Sequence, residues 1–212
     1  MLAVTRRVAE ADRWIRSGHW TDGWQSDLLL GTDISQSTIG IVGLGPIGEA
    51  VVTRLKGFGC RVLTWNRTPK QIPGAEPVAL DALFAQSDVV SLHTALTEET
   101  TQIANRARLA SMPSGSSLIN TGRGLLVDEA ALIDEVQSGR LKAGLDVFMN
   151  EPLPADHPFK RLDNVVLLPH VGSATASTRD AMVTRAFDNL HAGMAGQRVP
   201  FCANPEVYEV ER

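Results

Sequence analysis

Three glycines at fixed spacing, Gly43, Gly45 and Gly48, equip this 212-residue sequence to hold a ligand by backbone alone. In Gly43-x-Gly45-x-x-Gly48 the first permits a tight strand-to-helix turn and the second leaves no side chain between backbone and a pyrophosphate. The third lets the helix pack closely on the strand. Dinucleotide phosphates would then meet the free N–H groups of a helix start. Pro46 suits that first turn, where its missing N–H costs nothing. Ile47 opens the helical pattern Ile47, Val51, Val52, Leu55, Phe58. About 20 residues beyond the glycines, NAD sites usually carry a carboxylate for the ribose hydroxyls. Here the sequence reads Asn66-Arg67-Thr68. Nothing there repels a 2′-phosphate, and Arg67 can pair with one through charge-assisted hydrogen bonds, so NADP is favoured. NAD held through Asn66, with Arg67 a solvated loop cation, is the alternative.

The fingerprint needs a strand before it and a second strand after its helix. Residues 38 to 42 and 61 to 65 supply them. Further strands are expected at 88 to 93, 116 to 120, 143 to 147 and 165 to 168, with a short strand and helix over 78 to 85. Asp128 caps a helix ending at Gly139, and the last helix runs from about 174 to 195. This alternation predicts an α/β fold: a doubly wound parallel sheet of Rossmann type with helices on both faces. Such sheets bind ligands beyond the carboxyl ends of their strands. His93 and Thr97 fall in one loop at that edge. Three further loops each carry one reactive side chain: Asn120-Thr121-Gly122-Arg123-Gly124, Asp146-Val147-Phe148-Met149-Asn150-Glu151-Pro152, and Leu168-Pro169-His170-Val171-Gly172-Ser173-Ala174-Thr175.

Residues 1 to 17 place Leu2, Val4, Val8, Ala11 and Ile15 on one face of a single helix, with Gly18 as its cap. Met1 opens directly on that pattern without a capping residue, so the chain reads as cut at its front. Residues 18 to 31 have no regular period but hold Trp20, Trp24 and Leu28 to Leu30, just after Trp14. They pack either against the chain's own sheet or against a second subunit.

The length allows one large core. Hydrophobic content of 43% with 21% charged residues is ordinary, and a net charge of -4 argues against nucleic acid as an obligatory partner. Cys60 and Cys202, the two cysteines, form neither ligand spacing nor a disulfide framework, which suits a reducing cytoplasm. No apolar leader and no run of membrane-spanning length is present.

Taken in order, the fingerprint, the Arg-Gly loop, Asp-Val-x-x-x-Glu-Pro and Pro-His-x-Gly-Ser-Ala-Thr resemble the D-isomer-specific 2-hydroxyacid dehydrogenases, and within them the glyoxylate/hydroxypyruvate reductases. The likeness runs from the first helix to the tail. Departures are small: Ala95 and Ser114 replace proline and a proline-like turn residue, and Gly122 widens the Arg loop. The resemblance implies an oxidoreductase (EC 1.1.1) passing hydride between NADPH and a small 2-oxo acid such as glyoxylate or hydroxypyruvate. It makes Arg123 the grip on the substrate carboxylate and His170 the proton donor to the carbonyl oxygen. Glu151 would favour the imidazolium and raise the His170 pKa. Asp146 would lie near the nicotinamide, and His93 on the cofactor side without proton transfer. Thr68, Thr97, Thr121 and Gly172 complete the expected cofactor contacts, with Arg123 and His170 also touching cofactor. Hydride comes from the dinucleotide, so no metal is required.

The same likeness divides the chain into a linking helix and dimerisation arm (1 to 31), a dinucleotide-binding domain (32 to 195) and a tail (196 to 212) that would pack on a substrate domain. Relatives build that flavodoxin-like domain mostly from residues before the first helix, so on the order of 100 residues are expected to be missing. The missing part would supply backbone donors for the substrate carboxylate and one wall of the cleft. The expectation is therefore a homodimer that binds cofactor. Its alternative is a truncated, catalytically inactive cofactor-binding or dimerisation module.

Overall fold

A computed structural model describes residues 1 to 208 and divides into two compact units, the first ending at His170 and the second starting at Val171. In the first unit, β1 (Thr38–Val42), β2 (Arg61–Trp65), β3 (Glu76–Pro77), β4 (Val89–Leu92), β5 (Ser117–Asn120), β6 (Lys142–Leu145) and β7 (Val165–Leu167) form one sheet in the order β3-β2-β1-β4-β5-β6-β7. Every pairing is parallel. The order reverses between β1 and β4, which opens a crevice at their carboxyl ends.

Strand periodicity of two explains the layers. Val42, Leu63, Val90 and Leu92 point into one apolar core shared with α4 (Leu80–Gln86), α5 (Arg106–Ser111) and α6 (Glu129–Gln137). Ile39, Ile41, Val62 and Val89, one residue out of phase, point into the opposite core under α1 (Leu2–Thr5) and α3 (Pro46–Leu55). The expected doubly wound sheet with helices on both faces is present. Asp128 caps α6 by accepting from Ala131 N–H at 3.0 Å, and Gly139 follows its end at φ 78°.

The single helix expected over 1 to 17 is two. Arg7 adopts φ 52°, and α2 (Val8–Arg16) departs in a new direction with no buried residue. Only α1 reaches the sheet, where Val4 lies so close to Gly144 that a Cβ there would sit 2.7 Å from it. Once Val4 and Thr5 are buried, continuing the same helix has no core left to cover. Val8 and Ile15 of the expected face are exposed. Trp20 and Trp24 do not fold back onto the sheet either, and Trp24 is 86% exposed. The strand expected from 78 is the two-residue β3, which starts two residues earlier. The six-residue α5 goes unannounced by any periodic pattern, because Leu109 is its one buried residue.

In the second unit, Thr175 caps α7 (Ala176–Met194) by accepting from Thr178 N–H, and α7 buries none of its side chains. The tail is tied to α7 by paired bonds between Asn189 and the Phe201 backbone, at 2.9 and 3.1 Å. Residues 209 to 212 of that tail lie outside the described residues. Among the described residues no helix is long and apolar enough to cross a membrane.

Candidate functional site

At the crevice, β1 runs out at Val42, and the chain turns on Gly43 at φ 98° before α3 begins at Pro46. The three glycines are required for different reasons. A Cβ on Gly43 would meet the His93 carbonyl at 2.8 Å, and one on Gly48 would meet the Gly43 carbonyl oxygen at 2.0 Å. A Cβ on Gly45 would meet nothing within 4 Å. Protein packing accounts for Gly43 and Gly48, whereas Gly45 keeps a space clear over the start of α3. Helix geometry aims the first N–H groups of α3 into that space without intrahelical partners. Beside it, Thr94 Oγ1 is buried and has no hydrogen-bond partner among the described residues. An open glycine, free helix donors and an orphaned hydroxyl fit a dinucleotide phosphate group, and Gly45 and Thr94 line one side of a cavity of about 250 Å³.

The rest of that cavity comes from β2 and the turn after β4. Asn66 accepts from Leu44 N–H at 2.9 Å and donates to the Thr68 carbonyl at 2.8 Å, so it fastens the glycine loop to the end of β2. Arg67 is held by Glu99 at 2.9 Å, and both side chains are largely exposed, at 71% and 68%. His93 caps β4, with Nε2 at 2.9 Å from Ser91 Oγ, and burial pushes its imidazole down to about 4. It is therefore neutral near pH 7.

A second group of residues gathers along β5, β6 and β7. Buried Asn120 shapes the Arg loop, accepting from Gly122 N–H at 3.0 Å and donating to the Arg123 carbonyl at 2.8 Å. Gly124 then seats that loop directly on the next: a Cβ there would lie 2.0 Å from the Phe148 carbonyl. Phe148 N–H donates to Glu151 Oε1 at 3.0 Å, and Glu151 Oε2 meets His170 Nδ1 at 2.8 Å. The His170 bond, then the Phe148 N–H, and beyond them the charge of Arg123 hold the Glu151 carboxyl below its ordinary range. With Nδ1–H given to the carboxylate, His170 Nε2 is the nitrogen left to handle a proton. His170 has φ 56°, a left-handed conformation uncommon outside glycine and frequent at functional sites. Glu151 and His170 line a cavity of about 690 Å³ whose other walls are chiefly Phe148, Leu153, Leu167 and Leu168. Glu129 steadies the same loop from α6, accepting from Met149 N–H at 3.4 Å and meeting His157 Nε2 at 3.2 Å.

The expected residues thus fall into two clusters. Gly43, Gly45, Asn66, Arg67, Thr68, His93 and Thr97 share the crevice cavity, with Pro46, Ile47 and Gly48 at the start of the adjoining helix. Glu151 and His170 are in contact, and Arg123 is near enough for its charge to act on Glu151. Asp146 is buried at the end of β6, and Thr121 is exposed on the Arg loop. Neither lines these cavities, and Gly172 belongs to the second unit. Reading the sequence assigned no role to Glu99, Thr94 or Asn120. Thr97-x-x-Thr100, a hydroxyl-bonded turn, was the signal that the loop bearing Glu99 is rigid. Among the described residues no cluster of His, Cys, Asp and Glu could hold a metal ion.

Residues 1–172 match the family described as D-isomer specific 2-hydroxyacid dehydrogenase, NAD binding domain. The chain is 43% identical over 216 residues to the glyoxylate reductase of Thermofilum pendens, covering 99% of this chain and 64% of that protein. It is 45% identical over 213 residues to glyoxylate/hydroxypyruvate reductase B of Pectobacterium carotovorum, covering 98% of this chain and 66% of the other. The TT0316 protein of Thermus thermophilus superposes with a TM-score of 0.90 at 47% identity, over 94% of this chain and 63% of its own. The chain spans about two thirds of the length of such relatives.

Proposed function

The chain belongs to the D-isomer specific 2-hydroxyacid dehydrogenase family, and on that premise we propose that it binds NADPH in the β1/β4 crevice and serves the reduction of a small 2-oxo acid such as glyoxylate or hydroxypyruvate. The contact between Glu151 and His170, at the same sheet edge as the glycine cradle, carries this reading. The α3 N–H groups and Gly45 hold the pyrophosphate, Thr94 Oγ1 gains a partner, and Arg67 takes the 2′-phosphate. When bound, the nicotinamide supplies the hydride.

The chain's own residues do the remainder. Arg123 offers a planar fork of donors to the substrate carboxylate and carbonyl. His170 gives the Nε2 proton to the carbonyl oxygen as that carbon is reduced, and the product is the 2-hydroxy acid. Glu151 stays ionised, fixes the imidazole ring through Nδ1 and stabilises its positive form. In the reverse direction Nε2 takes the hydroxyl proton back. NADPH consumption in the presence of glyoxylate or hydroxypyruvate tests the proposal. Turnover that disappears in His170→Gln while NADPH affinity persists supports it. NADPH binding without any turnover replaces it with the binding-module reading.

The exposed Trp20, Trp24 and Leu30 support a homodimer formed through the 1 to 31 arm. Light scattering on the chain and on Trp20→Ala with Trp24→Ala should show a dimer converted to monomer; a monomeric wild type would exclude it. Residues 32 to 195 then act as the dinucleotide-binding domain. A cytoplasmic setting is supported by the free Cys60 and Cys202, and the acidic balance argues against nucleic-acid and membrane-surface partners.

A further inference from the structure

The loop after β2 carries two cations, and each is held by an acid from another part of the fold. Lys70 pairs with Glu49 of α3, and Arg67 pairs with Glu99 from the turn beyond β4. Arg67 is the side chain on which cofactor discrimination depends, since it lines both the crevice cavity and its neighbour beneath the β2–β3 edge. Among the described residues it shows one contact, a single Nη1 bond of 2.9 Å to Glu99 Oε2, and the rest of its donor fork is uncommitted.

Neither end of this pair hangs on a loose loop. Asn66 pins the Arg67 backbone from one side through Leu44 N–H and the Thr68 carbonyl. On the other side Thr97 and Thr100 exchange hydroxyl and amide bonds, Thr100 Oγ1 reaches the Ala95 carbonyl at 2.7 Å, and Thr100 is buried. Glu99 therefore projects its carboxylate from a braced turn, next to residues that line the cavity. A carboxylate in that place has two consequences. A 2′-phosphate that takes the free donors of Arg67 sits beside the Glu99 carboxylate, and one that takes the whole fork must displace it. A 2′-hydroxyl leaves the pair intact and can donate to the carboxylate, which is the service an acidic residue at the end of β2 would give where Asn66 stands.

We propose that Glu99 sets how far this site discriminates between NADPH and NADH, by competing with the 2′-phosphate for Arg67 and by supplying from the β4 turn the carboxylate that β2 lacks. The inference rests on the reading of the crevice as a dinucleotide site. Glu99 is a specificity-determining residue, and it opposes the preference that Arg67 creates.

Calorimetric titration of NADPH and NADH into the full chain tests it, on wild type, Glu99→Gln, Arg67→Ala and the double variant. Because the pair is exposed and worth little to folding, melting temperatures should hardly change. In Glu99→Gln, NADPH affinity should rise about two- to fivefold while NADH affinity stays level or falls, and the gain should shrink when Arg67 is already alanine. An affinity ratio that Glu99→Gln leaves unmoved, with both cofactors still bound, overturns this inference alone. Wild-type protein that binds neither dinucleotide overturns the crevice reading, and this inference with it.

Discussion

Two histidines stand just beyond strand ends on the same sheet edge, and their surroundings are opposite. His93, after β4, is packed among the glycine loop and Thr94, bonded to a neutral serine, and pushed by burial down to about 4. His170, after β7, is 53% exposed and bonded to a carboxylate that is itself only 37% exposed. The surroundings of His93 are backbone in close contact, and those of His170 are more open and built from side chains on long loops. Holding a cofactor asks for the first kind of construction, because fixed N–H groups need no titration. Moving a proton asks for the second, because the acid must keep a charge partner and an open nitrogen.

The difference is sharpest where chemistry is measured. His170→Gln should cut turnover about 100- to 10,000-fold while NADPH affinity changes less than about twofold, read by steady-state rates beside calorimetric titration. Equal losses in both would mean that the two regions are not separable. Packing gives the next largest effect. Gly48→Ala drives a Cβ to 2.0 Å from the Gly43 carbonyl oxygen, so it should cost about 3 kcal/mol or more by urea unfolding.

A smaller effect comes from pH. An unfolded chain binds a proton at His93 below its ordinary value of 6.5, whereas the folded protein does so only below about 4. Its contribution to stability is complete above 6.5 and is lost as pH falls from there toward 4, about 2 kcal/mol of it by pH 5. Glu151 behaves as a depressed carboxylate, losing its contribution only as pH falls below its ordinary 4.5. His93→Gln should therefore flatten urea-unfolding stability between pH 7 and 5; an unchanged slope would place His93 in water.

The two regions also differed in how plainly the sequence announced them. Gly43, Gly45 and Gly48 are spaced by a backbone requirement, and the apolar runs on either side have the periods of strand and helix, so the crevice was legible before any coordinates. The alternation after it implied the sheet and placed Arg123, Glu151 and His170 on the correct edge. What the sequence did not carry were contacts between distant exposed side chains. Glu99 reaches Arg67 across 32 residues, and no local pattern marks such a pair. Gly124 stood in the sequence only as part of the Arg loop, and its place is explained by the Phe148 backbone pressed against it. The break at Arg7 was hidden because the 1 to 17 pattern is amphipathic throughout, while the core that α1 covers ends at Thr5.

Whether the crevice is shaped for a dinucleotide is tested most directly at Gly45, since no described residue lies within 4 Å of a Cβ there. Thermal unfolding and NADPH titration of Gly45→Ala against wild type separate fold from ligand. The predicted result is a melting temperature within about 2 °C of wild type and at least about tenfold weaker NADPH binding, as a methyl group meets the pyrophosphate. Unaltered NADPH affinity in a normally folded Gly45→Ala protein would contradict it.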